Sequence, residues 1–235
     1  MIKVGLVGHS GRMGEEIKKM ISEDSRFELA GTWDSREQKL LSDKGTWTSA
    51  TIDGVIDFSL PDNFKKVVDW CQEHQVPLVS GVTGLEVEFS EKVKSLGYSQ
   101  ANAPLFWASN MSLGIATVRE MLKALKVFKD EKFVISETHH IHKKDKPSGT
   151  AVTLQKDLEN IIGQGRVQVE AYREGEVFGI HEIKVITPNE EIVVKHTALN
   201  RKVFAQGSLE VLHWIVGQTP DFYSVGDFLQ DVTKS

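Results

Sequence analysis

The sequence predicts an α/β fold in which an N-terminal Rossmann-type, doubly wound parallel sheet is followed by a second α+β domain built on a mixed sheet. Three observations predict this fold. Short apolar runs alternate with longer amphipathic stretches through the first half of the chain. A glycine-rich turn directly follows the first apolar run, and the second half changes to strand patterns separated by turn residues such as Pro188-Asn189.

The first half of the chain has the pattern of repeated strand–helix units around a parallel sheet. Its short apolar runs predict strands at residues 3–7, 27–33, 54–58, 77–80 and 105–108. The amphipathic stretches between them predict helices at residues 13–22, 62–73 and 90–96. Pro61 supports the start of the second helix, because the first helical turn does not use the N–H that proline lacks.

The second half of the chain begins with a long predicted helix. Apolar periodicity predicts helices at residues 112–128, 151–162, 205–216 and 225–229. Strand patterns at residues 133–138, 167–172, 181–186 and 191–197 predict an antiparallel or mixed sheet. We therefore expect one domain at residues 1–110, completed by helices within 203–235, and a second domain at residues 111–202.

The composition excludes several classes of function. A net charge of −5 and a pI near 5.9 oppose nucleic-acid binding, which requires a concentrated positive surface. No apolar run approaches the roughly 20 residues that cross a bilayer, and the N-terminus lacks a signal-peptide pattern. Cys71 is the one cysteine, so an internal disulfide is impossible. We expect a cytoplasmic protein with neither nucleic acid nor membrane as a partner.

A dinucleotide site is predicted at the first strand–helix turn. The turn contains the spacing GxxGxxG, with Gly8, Gly11 and Gly14 as its glycines and with Arg12 and Met13 between the last two. Small residues here let a pyrophosphate approach the N-terminus of the following helix, although glycines alone occur in many such turns. Asp34 strengthens the prediction, because it ends the second strand pattern, roughly 20 residues further on, where an acid binds the ribose.

A dense basic segment lies between a strand pattern and a helix pattern. Three histidines and two lysines occur within residues 139–144. A metal site of His139, His140 and His142 is disfavoured, because neighbouring side chains of an extended segment point to opposite faces. A solvated basic loop is a second interpretation. A binding site for an anionic substrate is the third.

The third interpretation explains more of the segment than the other two. Ser148, Gly149 and Thr150 directly precede a helix pattern, so backbone N–H groups and the helix dipole can hold a carboxylate there. Lys143 can place an ammonium group against the same ligand. A histidine in this position can transfer a proton near neutral pH. Asp145 could orient Lys143 or a histidine.

The chain carries four motifs of a known family in the family's order. The family pattern is close to E-x-H-H-x-x-K-x-D-x-P-S-G-T-A, and residues 137–151 read ETHHIHKKDKPSGTA. The glycine turn with Arg12 and Met13, the GVTG loop at residues 81–84 and ASNMSLG at residues 108–114 also match. Through these motifs the chain resembles the 4-hydroxy-tetrahydrodipicolinate reductase family, also called dihydrodipicolinate reductase.

The resemblance implies an NAD(P)H-dependent oxidoreductase of diaminopimelate and lysine biosynthesis that reduces 4-hydroxy-tetrahydrodipicolinate, a small dicarboxylate, to tetrahydrodipicolinate. It implies His139 as proton donor, with Lys143 as a further donor candidate. The carboxylates of the substrate would be held by His140, Gly149 and Thr150. It implies that the first domain binds NADH or NADPH through Gly8, Gly11, Arg12, Met13, Gly14, Asp34, Gly81, Thr83, Ser109 and Met111.

The family's usual assembly is a homotetramer joined through the sheet of the second domain, which would bind substrate as well as form the interface. His181 and Arg201 are further residues that could approach the site. Some family members have an arginine directly after the ribose-binding acid, whereas this chain has Ser35 and then Arg36. Because Asp34 would repel a 2′-phosphate and Arg12 or Arg36 would attract it, the preference between NADH and NADPH stays open.

Two other functions are compatible with part of the pattern. Another two-domain NAD(P)-dependent dehydrogenase, acting on an amino acid or a sugar, would share the glycine turn and Asp34 but would not need the anion site of residues 143–150. A non-catalytic dinucleotide sensor would need neither a proton donor nor that anion site.

Overall fold

The structure is a computed structural model that describes residues 1–34, 50–85 and 101–234. The chain divides into two compact units, Met1–Met111 with Phe204–Ser235 and Ser112–Val203. The helix predicted at residues 90–96 lies outside the described residues, as does Arg36. Each unit has a sheet of its own.

The order of helices and strands follows the predicted order closely. In chain order the described elements are β1 (Ile2–Val7), α1 (Arg12–Glu23), β2 (Phe27–Trp33), β3 (Gly54–Asp57), α2 (Pro61–His74), β4 (Leu78–Ser80), β5 (Leu105–Trp107), α3 (Leu113–Leu122), a 3-10 helix (Lys123–Phe128), β6 (Lys132–His139), α4 (Gly149–Ile162), β7 (Val167–Arg173), β8 (Gly179–Ile186), β9 (Glu191–Ala198), α5 (Lys202–Ile215), β10 (Phe222–Tyr223) and α6 (Val225–Lys234). Strand β10 was not predicted, because two residues are too short to carry a strand pattern.

The first unit contains a six-stranded parallel sheet in the order β10-β5-β4-β3-β1-β2. Strands β3 and β4 are buried along their whole length, as is typical of a parallel sheet covered by helices on both faces. The chain order reverses between β1 and β3. In a doubly wound sheet, ligands bind beside the carboxyl ends of the strands at this reversal.

The second unit contains a four-stranded mixed sheet in the order β7-β6-β8-β9. Strands β6 and β7 are parallel, whereas β8 is antiparallel to both β6 and β9. Side chains of β6 alternate between buried and half-buried, so Phe133, Ile135, Glu137 and His139 share the inner face. Together the two sheets confirm the predicted fold class.

The prediction of one long helix at residues 112–128 is wrong in its second half. The α-helix ends at Leu122, and residues Lys123–Phe128 form a 3-10 helix. The apolar side chains Leu122, Leu125 and Phe128 are spaced by three residues and pack into one core cluster. Side chains three residues apart share a face in a 3-10 helix, so this spacing favours the tighter turn.

Among the helices of residues 1–34, 50–85 and 101–234, none combines the length and the apolar composition that crossing a membrane requires.

A buried carboxyl group in the first unit should make folding stability depend on pH. Asp57 ends β3 with no exposed surface, and its carboxyl group accepts hydrogen bonds from Ser59 N at 2.9 Å and Ser80 Oγ at 3.3 Å. Burial raises the pKa of Asp57 from 3.8 to about 6. Because the folded-state pKa is the higher one, this group stabilises the fold most below pH 3.8, and that contribution is lost as pH rises to about 6.

We therefore expect Asp57→Asn to stabilise the protein by about 2 to 3 kcal/mol at pH 8, with a smaller gain at pH 4. Urea unfolding of both proteins at the two pH values measures the difference. The control is Asp130→Asn, since the Asp130 side chain is 77% exposed. A gain for Asp57→Asn that does not change with pH would contradict the prediction.

Candidate active site

The glycine-rich turn after β1 is held by close backbone contacts. Gly8 has φ +78°, and a Cβ there would lie 2.7 Å from the carbonyl oxygen of Phe58. A Cβ on Gly14 would lie 2.5 Å from the carbonyl oxygen of Gly8. Larger residues at either position would displace backbone atoms, so both positions require glycine.

The same turn leaves the start of α1 open to a ligand. Gly11 is the N-cap residue of α1. Because glycine has no side chain, Gly11 makes no side-chain hydrogen bond to the first turn of the helix. Arg12 and Met13 follow as the first two helical residues. Because the first N–H groups of a helix have no partner within the helix, they can bind a phosphate here.

Asp34 lies beside this turn at the end of β2. Its side chain is 8% exposed, and Ser10 of the turn donates a hydrogen bond to Asp34 Oδ2. The backbone of the turn is also tied to β2, since Gly8 N donates to Trp33 O at 2.8 Å. An acid in this position can accept hydrogen bonds from ribose hydroxyl groups.

The remaining predicted cofactor contacts follow the neighbouring strands. Gly81 and Thr83 follow β4, and Ser109 and Met111 follow β5. A Cβ on Gly81 would lie 2.4 Å from the ring of Phe58, so glycine permits the close packing of this loop. Thr83 and Ser109 are exposed, whereas Met111 is 4% exposed.

All ten predicted cofactor residues therefore belong to the first unit and follow the carboxyl ends of its parallel strands. Three features fit a dinucleotide. The turn after β1 has glycines where a Cβ would contact the backbone, the N-terminus of α1 follows it, and the buried Asp34 lies beside it. The first unit can hold NADH or NADPH through them.

The second unit places a histidine and a glutamate side by side on the inner face of β6. His139 is 7% exposed and Glu137 has no exposed surface. His139 Nδ1 is hydrogen-bonded to Glu137 Oε2. Burial lowers the pKa of His139, while the hydrogen bond and charge of Glu137 oppose that change. We call these two residues the His139–Glu137 pair.

The second oxygen of Glu137 connects the pair to the following loop. Glu137 Oε1 accepts hydrogen bonds from Arg173 Nη1 at 2.9 Å and from Ser148 N at 3.1 Å. Arg173 also donates to the carbonyl oxygen of Lys143 at 3.3 Å and to that of Asp145. One buried ion pair thus joins the end of β6 to the loop that leads into α4.

His181 is the third side chain at the His139–Glu137 pair. It is 3% exposed, its ring centroid lies 5.1 Å from that of His139, and its Nε2 lies 3.2 Å from Ser148 Oγ. Burial, reinforced by the charges of nearby histidines and Lys143, lowers the pKa of His181 to about 3. The ring is therefore neutral at physiological pH.

The residues of the predicted anion site lie in the loop before α4 and at the start of that helix. Ser148 is the N-cap, and its hydroxyl oxygen accepts from Ala151 N at 3.2 Å. Lys143 Nζ lies 2.9 Å from Asp145 Oδ1, and Gly149 N donates to Asp145 Oδ2 at 3.3 Å. Thr150 is the second residue of the helix. The carboxylate of Asp145 thus bridges the Lys143 ammonium group and the N-terminus of α4. We call Lys143, Gly149 and Thr150 the cradle.

The structure brings a different set of side chains together from the His139, His140 and His142 set considered as a metal site. Within the described ranges, the one cluster of three ligand atoms within 4.8 Å of one another belongs to Glu137, His139 and His181, not to the set with His140 and His142. Two atoms of this cluster, His139 Nδ1 and Glu137 Oε2, are bonded to each other, and Arg173 neutralises Glu137. A cation would compete with the arginine, so we assign the cluster to hydrogen bonding.

The other predicted or considered residues lie around this network. His140 is half-buried, and its ring centroid lies 6.2 Å from that of the exposed His142. Arg201 stacks on Phe178, with its guanidinium carbon 5.4 Å from the ring centroid. Gly179, which follows Phe178 in the chain, lies next to His139, because a Cβ on Gly179 would lie 3.0 Å from His139 Nε2.

Sequence reasoning missed the parts of the site that strand pairing brings together. Glu137 was part of the family pattern but received no role, and Arg173 was not considered. The available signal was that Glu137 precedes His139 by two residues and so shares its face of the strand. Arg173 is the register partner of His139 on β7, and His181 is the partner of Glu137 on β8.

Known proteins match this chain over nearly its whole length. The family model described as dihydrodipicolinate reductase, N-terminus, matches residues 2–111, and the model for its C-terminus matches residues 111–229. A protein of Bdellovibrio bacteriovorus named 4-hydroxy-tetrahydrodipicolinate reductase is 39% identical over 99% of this chain and 98% of its own length. One of Campylobacter jejuni with the same name is 32% identical over 97% and 99%.

Solved structures show the same fold. Dipicolinate-bound dihydrodipicolinate reductase from Paenisporosarcina sp. TG-14 has a TM-score of 0.78 at 20% identity, over 95% of this chain and 97% of that one. A myo-inositol dehydrogenase from Corynebacterium glutamicum has a TM-score of 0.59 at 10% identity, over 94% and 90%. Since both family models match and the relatives align over nearly their full length, the chain belongs to the dihydrodipicolinate reductase family.

Proposed function

We propose that this chain is an NAD(P)H-dependent oxidoreductase that reduces 4-hydroxy-tetrahydrodipicolinate to tetrahydrodipicolinate in diaminopimelate and lysine biosynthesis. The balanced reaction adds one hydride and one proton to the substrate and releases one water. The bound cofactor supplies the hydride. The observation that carries the proposal is the connection, through Glu137 and Arg173, of a buried histidine to a lysine and a helix start that bind a carboxylate.

His139 is the proposed proton donor. Loss of water from the 4-hydroxy substrate leaves a C=C bond conjugated with the ring C=N bond. Hydride addition to this conjugated system creates a negative charge that a proton must neutralise, and a positioned general acid typically accelerates such a step about 100-fold to 10,000-fold. Lys143 is a second donor candidate and stabilises negative charge on the substrate. Gly149 and Thr150 hold a substrate carboxylate, and His140 contributes to substrate binding.

The contact of Asp145 with the cradle indicates how the substrate carboxylate is bound. The two carboxylate oxygens of Asp145 lie against Lys143 Nζ and Gly149 N, which are the donors proposed for the substrate carboxylate. A substrate carboxylate would take the place of this side chain on at least one donor. Asp145 then orients Lys143 in the free protein and competes with the ligand for the cradle.

A coupled assay tests the proposed activity. Freshly made product of the preceding synthase is mixed with purified protein and NADH or NADPH, and the loss of absorbance at the reduced nicotinamide is followed. We expect oxidation of at least one cofactor with this substrate and none with simple keto acids, amino acids or sugars. The two cofactors are compared in the same experiment, because Asp34 and Arg12 have opposite effects on a 2′-phosphate.

The assay also separates the two alternative functions. The fold similarity to myo-inositol dehydrogenase makes turnover of a sugar the sharpest competing result. Turnover of a sugar or an amino acid, without turnover of the synthase product, would replace the proposed substrate. Tight dinucleotide binding with no turnover of any imine or carbonyl compound would identify a sensor.

We further propose that the protein is a cytoplasmic homotetramer assembled through its mixed sheet. Helices α3 and α4 pack on one face of that sheet, and the other face carries Tyr172, Ile186 and Val193, which are 50%, 38% and 47% exposed. A second copy could bury these apolar side chains. Light scattering coupled to size-exclusion chromatography should give four times the mass of 26.3 kDa. A mass equal to one chain would reject the assembly.

A further inference from the structure

Among residues 1–34, 50–85 and 101–234, Glu137 is the one carboxylate that contacts both the proposed proton donor and the loop of the cradle. It has no exposed surface, and each of its oxygens is hydrogen-bonded. An unpaired buried carboxylate would be strongly unfavourable, so Arg173 at 2.9 Å is what permits the charge at this position. The carboxylate is therefore ionised and can only accept hydrogen bonds.

The ionised state of Glu137 fixes the position of a proton on His139. Since Glu137 Oε2 accepts, the ring proton of neutral His139 must lie on Nδ1. Nε2 is then the nitrogen that binds and releases an exchangeable proton. Gly179 lies beside Nε2, and with hydrogen in place of a side chain it leaves the space that a Cβ at 3.0 Å would occupy.

We propose that Glu137 is a positioning residue for the reduction: it holds one ring proton of His139 on Nδ1, so that the second proton of the imidazolium form is bound at Nε2 and is the one transferred to the substrate. This inference rests on the proposed function, in which His139 is the proton donor. Arg173 acts with Glu137, because its guanidinium group binds Glu137 and the carbonyl oxygens of Lys143 and Asp145 together. The proton donor and the cradle thereby keep one relative position.

Glu137→Gln tests the proposal with an isosteric change that reverses the hydrogen bond. The oxygen at the Oε1 position must stay an acceptor, because Arg173 and Ser148 N both donate to it. The glutamine NH₂ group is then directed at His139 Nδ1 and can only donate. His139 must accept with Nδ1, so its ring proton moves to Nε2.

Nitrogen-15 NMR of the histidine rings reads this change without any substrate. The His139 signal is assigned among the eight histidines by its loss in His139→Gln. We expect the Nδ1–H tautomer in the wild-type protein and the Nε2–H tautomer in Glu137→Gln. The Nε2–H tautomer in the wild type would overturn the proposal, and this measurement decides the matter even if Glu137→Gln does not fold.

The reductase assay provides the second readout. In Glu137→Gln we expect kcat to fall at least about 10-fold, with the loss for His139→Ala as the upper bound, and KM to change less than about threefold. The control is Asp157→Asn, which neutralises another arginine-paired carboxylate of the same unit, 2.6 Å from Arg119, and should leave kcat and tautomer unchanged. If the tautomer of His139 is reversed in Glu137→Gln but kcat is unchanged, the proposed positioning role of Glu137 would also be overturned.

The two readouts separate failure of this inference from failure of the proposed function. If the wild-type protein does not reduce the synthase product, the proposed function fails, whatever the tautomer. If the wild type is active but its His139 carries the proton on Nε2, the positioning role of Glu137 fails and the proposed function stands.

Discussion

Replacing His139 with alanine should lower kcat about 100-fold to 10,000-fold while KM changes little. The ring lies beside Glu137 and His181 rather than on the cradle, so its loss removes a proton donor but leaves the carboxylate contacts. Steady-state kinetics with the synthase product measures both constants. His142→Ala is the matched control, because the His142 side chain belongs to the same segment and is 73% exposed.

A proton donor at His139 also predicts the pH dependence of the reaction. Burial lowers the pKa of His139 below 6.5, and the charges of Lys143 and Arg173 lower it further, against the opposing effect of Glu137. The acid form is lost as pH rises through that pKa, so kcat/KM should fall above it. A bound dicarboxylate adds negative charge and raises the pKa, so the fall of kcat should lie at higher pH.

His181 is a second titratable side chain next to His139. The buried His181 packs against His139 from β8 and is neutral, since its pKa is about 3. A His139→Ala enzyme that keeps both the rate and the alkaline fall of kcat/KM would refute the role of His139 as donor.

Replacing Lys143 with alanine should lower kcat/KM about 10-fold to 150-fold, with contributions from both kcat and KM. A hydrogen bond to a charged group contributes about 1.5 to 3 kcal/mol, and this ammonium acts on a carboxylate in the ground state and the transition state alike. Calorimetry with dipicolinate, which the Paenisporosarcina enzyme binds, isolates the binding part. Its Kd should rise in Lys143→Ala and stay nearly constant in His139→Ala.

Lys144→Ala is the control for Lys143, because it removes an exposed lysine from the next position of the same loop. The change should leave both kcat/KM and the Kd of dipicolinate unaltered. Equal losses in Lys143→Ala and Lys144→Ala would mean that the loop acts through its overall charge. That result would contradict a specific contact of Lys143 with a carboxylate.

The sequence was sufficient for those features that depend on local spacing. Gly8, Gly11 and Gly14 follow an apolar run at the spacing of a strand–helix turn, and Asp34 follows the next run, so their positions at one sheet edge could be predicted. Ser148 before a helix pattern identified the start of α4 in the same way. In these cases neighbouring residues alone determine the conformation.

The limits of the sequence are clear at the 3-10 helix and at the active-site network. Leu122, Leu125 and Phe128 recur every three residues, a spacing that also fits one face of an α-helix, and it is their packing into the core of the second unit that distinguishes the 3-10 helix. Strand pairing likewise decides that Arg173, 36 residues from Glu137, neutralises it. Such contacts depend on the register between strands distant in the chain, and no local pattern encodes that register.

The sequence by itself therefore determined the two kinds of sheet, the dinucleotide turn and the presence of a histidine, a lysine and a helix start in one segment. The tertiary structure alone decided how these groups are charged and connected. The buried Glu137 is paired with Arg173, and its other oxygen is hydrogen-bonded to His139. Arg173 also donates a hydrogen bond to the backbone of Lys143 in the following loop. The physical reason is that burial and electrostatic pairing depend on residues that are close in space but distant in the chain. These contacts exist only once the sheet has formed.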